Sequence, residues 1–175
     1  MKNILNIIGF QIGWWVCALG AQNSLDYLGP LYMATFIIIH MRFISKKYSE
    51  FILILFGIFL GLLVDSSFKY FNIINYSSIN FNSYYAPSWI IAMWAGFCAT
   101  LNHSLSWLKT RILASFFLGA IFGPLSYVAG LNMNIIFFIS SKSKAIFILA
   151  IVWGISIPGL FWINNKLSLM FKKYD

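Results

Sequence analysis

The stretch Pro87–Lys109, PSWIIAMWAGFCATLNHSLSWLK, decides how the rest of the chain is read. It is an apolar run with Trp89 and Trp107 near its ends and the polar triplet Asn102, His103 and Ser104 just inside its far edge. The two tryptophans lie 18 positions apart, which on an α-helix is about 27 Å, close to the hydrocarbon thickness of a bilayer. Indole rings favour the headgroup boundary, where an apolar face and one N–H donor are both satisfied. The stretch therefore predicts a membrane-spanning helix with an aromatic belt at each end.

Composition agrees with that reading. Of 175 residues, 61% are hydrophobic and 9% charged, against about 25% charged in a soluble domain. Working outward, apolar runs of similar character predict spans at about 4–21, 30–45, 50–68, 87–108, 112–131 and 145–163. The expectation is a single domain over 1–175: an all-α integral membrane protein, a compact bundle of six transmembrane helices. The first run has a basic start at Lys2, and Ala18-Leu19-Gly20 resembles a signal-peptidase site. Its length and the five runs after it favour an uncleaved first span.

The formal charge of +8 does not point to nucleic acid, because no reading motif accompanies it. The basic residues instead sit in short clusters between apolar runs. With six spans, Lys2, Arg42, Lys46, Lys47, Lys109, Arg111, Lys166, Lys172 and Lys173 share one side, and Lys69, Lys142 and Lys144 the other. Nine against three predicts a multi-pass membrane protein with both termini cytoplasmic. Three small-xxx-small pairs, Gly9/Gly13, Gly57/Gly61 and Gly119/Gly123, predict close helix packing. Pro124 and Pro158-Gly159 are expected to kink the fifth span and interrupt the sixth. Lys69–Ala86, rich in Asn, Ser and Tyr, reads as a loop or interfacial segment. Cys17 and Cys98, without a pairing pattern, read as small buried apolar residues.

Ionisable groups inside spans are the default place to look for function. Asp65, in GLLVDSSF, is expected near the far boundary, paired with Lys69, capping the next turn, or binding a cation or polar ligand. Asn102, His103 and Ser104 are expected to form a polar pocket at the inner mouth or simple helix-to-helix hydrogen bonds. On one continuous helix Thr100, His103 and Ser104 would share a face, and Asn102 and Ser106 another. His40 is expected at the interface. Its depth agrees with that of Glu50 and His103, which makes a metal site conceivable, but HxxxH or CxxC spacing is missing. No metal and no cofactor are therefore expected. GxSxG, HExxH and a glycine-rich phosphate loop are absent from the sequence, so no catalytic residue is assigned.

The blocks FQIGWWVCALGA, GLLVDSSF, WIIAMWAGFCATLNHSLSWL and LGAIFGPLSYVAG resemble, in order and spacing, a bacterial inner-membrane family of unknown function. Trp14, Asp65, Asn102, His103, Ser104, Trp107, Gly123, Pro124 and Tyr127 are the matching positions, and none carries an assigned role. Members of that family are often encoded near cyclopropane-fatty-acyl-phospholipid synthase and a flavin-dependent amine-oxidase-like protein. The resemblance implies an accessory role in fatty-acyl or phospholipid modification, with the bilayer, a phospholipid or acyl-chain ligand and a membrane-protein partner as its company. A looser, topological likeness is to six-span substrate-binding subunits of energy-coupling-factor transporters and to the rod-shape membrane protein. Small-molecule transport and a membrane enzyme of unrecognised type are the alternatives.

Overall fold

The computed structural model of the protein describes residues 2–78 and 84–175. Among these, six α-helices run in sequence: α1 (Lys2–Gln22), α2 (Leu28–Ile39), α3 (Tyr48–Tyr70), α4 (Ser88–Cys98), α5 (Ile112–Asn132) and α6 (Lys142–Met170). A π-helical turn, His40–Ile44, continues α2, and a 3₁₀ turn, Ser106–Leu108, precedes α5. Helices α1, α3, α5 and α6 are long and apolar enough to cross a membrane; α2 and α4 are shorter.

Local chemistry explains where three of the helices stop. Ser24, Asn72 and Asn134 hold φ of 58°, 52° and 57°, the left-handed conformation that Asn adopts more readily than most residues. The next amide in each case reaches back five residues, Leu25 to Gly20, Ile73 to Phe68 and Ile135 to Gly130, at 2.8, 2.9 and 3.0 Å. These are Schellman caps, and they close α1, α3 and α5 at the same end of the bundle. Immediately beyond two of them lie β1 (Ile74–Tyr76) and β2 (Ile136–Phe138), an antiparallel pair with Ile74 opposite Phe138 and Tyr76 opposite Ile136. Ile74, Tyr76 and Ile136 are buried. This ribbon ties the α3–α4 connection to the α5–α6 connection, where the sequence suggested only loops. Tyr84 and Tyr85 are exposed, and residues 79–83 of the expected loop lie outside the described residues.

Glycines set the helix pairs. A Cβ on Gly9 or Gly13 would meet Phe36 or Met33 of α2, and one on Gly57 or Gly61 would meet Cys98 or Trp94 of α4. A Cβ on Gly119 or Gly123 would fall within 2.4 Å of Trp153 in α6. α4 sits between α1, α2 and α3; α6 packs on α3, and α5 packs on α6. α1 and α5 thus stand on opposite flanks of the bundle. Cys17 and Cys98 are both free and fully buried.

The structure corrects several expectations. The helix expected over 87–108 ends at Cys98, and residues 99–105 are turns. Trp89 is not a belt residue: it is fully buried, and its Nε1 donates to the Ser77 carbonyl at 3.1 Å. Trp107 is exposed, with the Arg111 guanidinium 5.8 Å from its ring centre. α6 runs unbroken through Pro158-Gly159 over 29 residues.

At the other end, α3 begins without a side-chain cap of its own. Asp175 supplies one: Oδ1 accepts from the Ser49 amide at 2.9 Å and Oδ2 from the Ser49 hydroxyl at 2.5 Å. A carboxylate there also meets the positive end of the helix dipole. Slight burial opposes ionisation, but the Ser49 bonds and the Lys47 charge hold the Asp175 carboxyl below its ordinary value. A folded-state value lowered in this way stabilises above the unfolded value and is lost as pH falls through the lowered one. Asp175→Ala is expected to cost about 0.5–1 kcal/mol at neutral pH, the low end for a cap because the group is exposed. In thermal melts of detergent-solubilised protein, that gap should close as the pH is lowered through the carboxylate range.

Candidate functional site

Two buried polar hubs and one cleft stand out. The first hub is Asp65 on α3, fully buried one helical turn beyond Gly61. Because Gly61 lets Trp94 pack directly on α3, the indole Nε1 reaches Asp65 Oδ2 at 2.7 Å. Tyr76, an inward-facing residue of β1, donates to Oδ1 at 2.6 Å, and Tyr127 of α5 donates to the same oxygen at 2.5 Å. Three donors from three elements thus converge on one carboxyl group. Asp65 does not pair with Lys69 and does not cap the Ser66-Ser67 turn: Ser67 bonds back to the Leu63 carbonyl and Ser66 accepts from the Ala86 amide. Among the described residues, both ion pairs involve Glu50 and neither reaches Asp65.

Trp94 and Tyr127 show their other sides to a cleft of about 490 Å³. Its walls include Phe10, Gln11, Trp14 and Trp15 of α1, Met93 and Phe97 of α4, Phe122, Leu125, Ser126 and Ala129 of α5, and Trp153 and Ile157 of α6. Trp153 stacks on Trp94, with ring centres 4.4 Å apart, and lies against Gly123. The cleft exists because α1 belongs to the α2–α4 side of the bundle and α5 to the α6 side. Its volume lies inside the ~300–1,000 Å³ range of small-molecule sites. Among the described residues, no Lys, Arg, His, Asp or Glu lines it.

The second hub lies at the opposite end of α3. Glu50, in the first turn and buried, accepts from His40 Nε2 at 2.8 Å, from His103 Nε2 at 2.9 Å and from the Ser45 hydroxyl at 2.6 Å. His40 is fully buried rather than interfacial. Asn6 of α1, also buried, fixes the proton on His40. Its Oδ1 accepts from the Ser104 hydroxyl, its Nδ2 donates to the Ala99 carbonyl at 3.0 Å, and the same Nδ2 faces His40 Nδ1 at 3.3 Å. A donor facing Nδ1 leaves the lone pair there and the proton on Nε2, directed at Glu50.

The triplet Asn102-His103-Ser104 is not a helical face. It is a turn whose members reach three helices: Asn102 exchanges two amide bonds with Asn164 of α6, His103 bonds Glu50 of α3, and Ser104 bonds Asn6 of α1. His40, Glu50 and His103 offer donor atoms within 4.8 Å of one another, a set that by residue type fits a zinc ion. The Asn6 amide argues against it, since the metal would need the His40 nitrogen that carries the proton. The three residues instead form carboxylate-oriented imidazoles, an arrangement chemically able to exchange a proton. His103 spends Nε2–H on Glu50 and is 17% exposed, which leaves Nδ1 as its acceptor.

Sequence reasoning brought Asp65, His40, His103 and the triplet into view but missed their partners Tyr76, Trp94, Tyr127, Asn6 and Asn164. The missed signal was chemical: each is a hydrogen-bonding side chain in an otherwise apolar element, and such groups, once buried, need a partner. Gln11 and Ser126 of the cleft were missed for the same reason.

These features define an α-helical bundle with four helices able to cross a membrane, braced by a buried polar hub toward each end and holding an aromatic cleft between its flanks. The chain belongs to a protein family of unknown function, DUF2878, which matches residues 3–159. No curated protein and no solved structure was found to match it.

Proposed function

We propose that the protein is a multi-pass inner-membrane protein that holds a lipid chain in the α1–α4–α5–α6 cleft and acts as an accessory in fatty-acyl or phospholipid modification. The cleft carries this reading: it is apolar, aromatic, of ligand size, and walled in part by three helices, α1, α5 and α6, long enough to stand in a bilayer. The outer surface supports it, because large apolar side chains such as Leu5, Ile12, Leu113, Phe117, Phe147 and Ile155 are exposed. In water such a surface would drive association; against lipid it is the expected finish. The end carrying Glu50 fits a cytoplasmic boundary. Lys166 lies over exposed Trp162 as Arg111 does over Trp107, and the nine clustered basic residues belong to this end.

The test is lipid retention. Protein extracted in mild detergent is expected to carry an acyl lipid detectable by native mass spectrometry. Ser126→Trp, which places an indole in the cleft, should lower the occupied fraction about tenfold. Equal lipid retention by the wild type and this variant, both folded by circular dichroism, would reject the reading.

A further inference from the structure

Gln11 lies near the middle of the 21-residue α1, about 14 Å from the start of the helix and about 16 Å from its end. It is exposed, lines the cleft, and makes no side-chain hydrogen bond among the described residues. Ser126, on the α5 wall, donates its hydroxyl hydrogen to the Gly123 carbonyl at 2.7 Å, so it has only acceptor capacity left. In a bilayer, a carboxamide at that depth has no water to bond with, and leaving it unpaired is costly. Apart from Tyr127 and Trp94, whose polar atoms are held by Asp65, the Trp153 N–H, which is buried without a partner among the described residues, and the indole N–H groups of Trp14 and Trp15, the rest of the lining is hydrocarbon and thioether. Gln11 and Ser126 thus contribute two amide donors, one amide acceptor and one hydroxyl acceptor in an uncharged setting.

We infer that Gln11 is the polar anchor of the cleft, and that its ligand is a long-chain molecule bearing a neutral hydroxyl at mid-chain depth. A hydroxyl both donates and accepts, so it meets the Gln11 amide and the Ser126 oxygen with complementary atoms. A carboxylate or phosphate would enter with no cation to receive it. An alkane would leave Gln11 unpaired, and an ester would offer acceptors alone. The inference rests on the cleft reading above and names its ligand class.

The experiment uses full-length protein, delipidated in detergent and titrated with brominated sixteen-carbon chains that carry a hydroxyl, a methyl ester group or no polar substituent at mid-chain. The readout is quenching of the cleft tryptophans, with Ser126→Trp as the blocked baseline. The alcohol is expected to bind about tenfold more tightly than the alkane, the value of one well-made hydrogen bond to a group otherwise left unpaired. In Gln11→Leu that preference should vanish while alkane binding persists; this substitution only makes the helix more apolar. Gln11→Asn should recover part of the preference. Equal alcohol and alkane affinity in the wild type, an ester binding as well as the alcohol, or an unchanged preference in Gln11→Leu overturns the anchor while leaving the cleft standing. No binding of any chain above the blocked baseline overturns both.

Discussion

Asp65→Ala is expected to destabilise the protein by about 3–5 kcal/mol, because three buried donors lose at once the acceptor they share among the described residues, and each costs about 1–3 kcal/mol unpaired. Tyr76, Tyr127 and Trp94 are nearly inaccessible, so water cannot replace the carboxyl group. The effect should extend past stability. Trp94 and Tyr127 are cleft walls as well as Asp65 ligands, and freeing them should change the cleft's shape. Asp65→Asn keeps the volume and one acceptor oxygen but turns an NH₂ group toward donors, so an intermediate loss is expected. Unfolding of the detergent-solubilised protein by a graded SDS titration measures both. A loss under about 1 kcal/mol for the alanine variant would mean that the three donors find other partners, and the hub as described would be wrong.

Glu50→Ala should produce a comparable loss, about 3–5 kcal/mol, by the same logic at the other end: His40, His103 and Ser45 all donate to this carboxylate. Here a chemical readout separates the site from simple stability. Diethyl pyrocarbonate acylates an imidazole nitrogen that has an accessible lone pair. In the wild type His103 should react through Nδ1, and His40, with its Nδ1 covered by Asn6, should not. In Glu50→Ala, His40 should become reactive as well. Modification of His40 in the wild type would contradict the Asn6-fixed tautomer and reopen the case for a metal at these three residues.

Much of the bundle was legible because helix formation in an apolar chain is local. Hydropathy located the apolar runs, and Gly9, Gly57 and Gly119 with their partners four residues on marked the faces that meet other helices. The Schellman stops at Asn72 and Asn134 were readable in principle, since Asn after an apolar run is a left-handed cap residue. The Pro87–Lys109 stretch misled for a physical reason. Hydropathy reports whether a segment is buried from water, not whether lipid or protein covers it. Trp89 and Trp94 are covered by protein, and α4 can be short because its neighbours, not the bilayer, surround much of it.

The triplet shows the same divide at finer scale. That Asn102, His103 and Ser104 would need partners followed from their chemistry. That those partners would be Asn164, Glu50 and Asn6, on three different helices, did not, because residues 62, 53 and 98 positions apart have no local signature. The sequence by itself determined the all-helical class, the apolar runs and the glycine contact faces, since each depends on residues a few positions apart. Only the tertiary structure decided that Asp65 serves as an acceptor for aromatic donors, that Asn6 sets the proton on His40, and that α1 and α5 leave a cleft between them. Those outcomes depend on which helices become neighbours, and that is settled by packing across the whole chain rather than by any stretch of it.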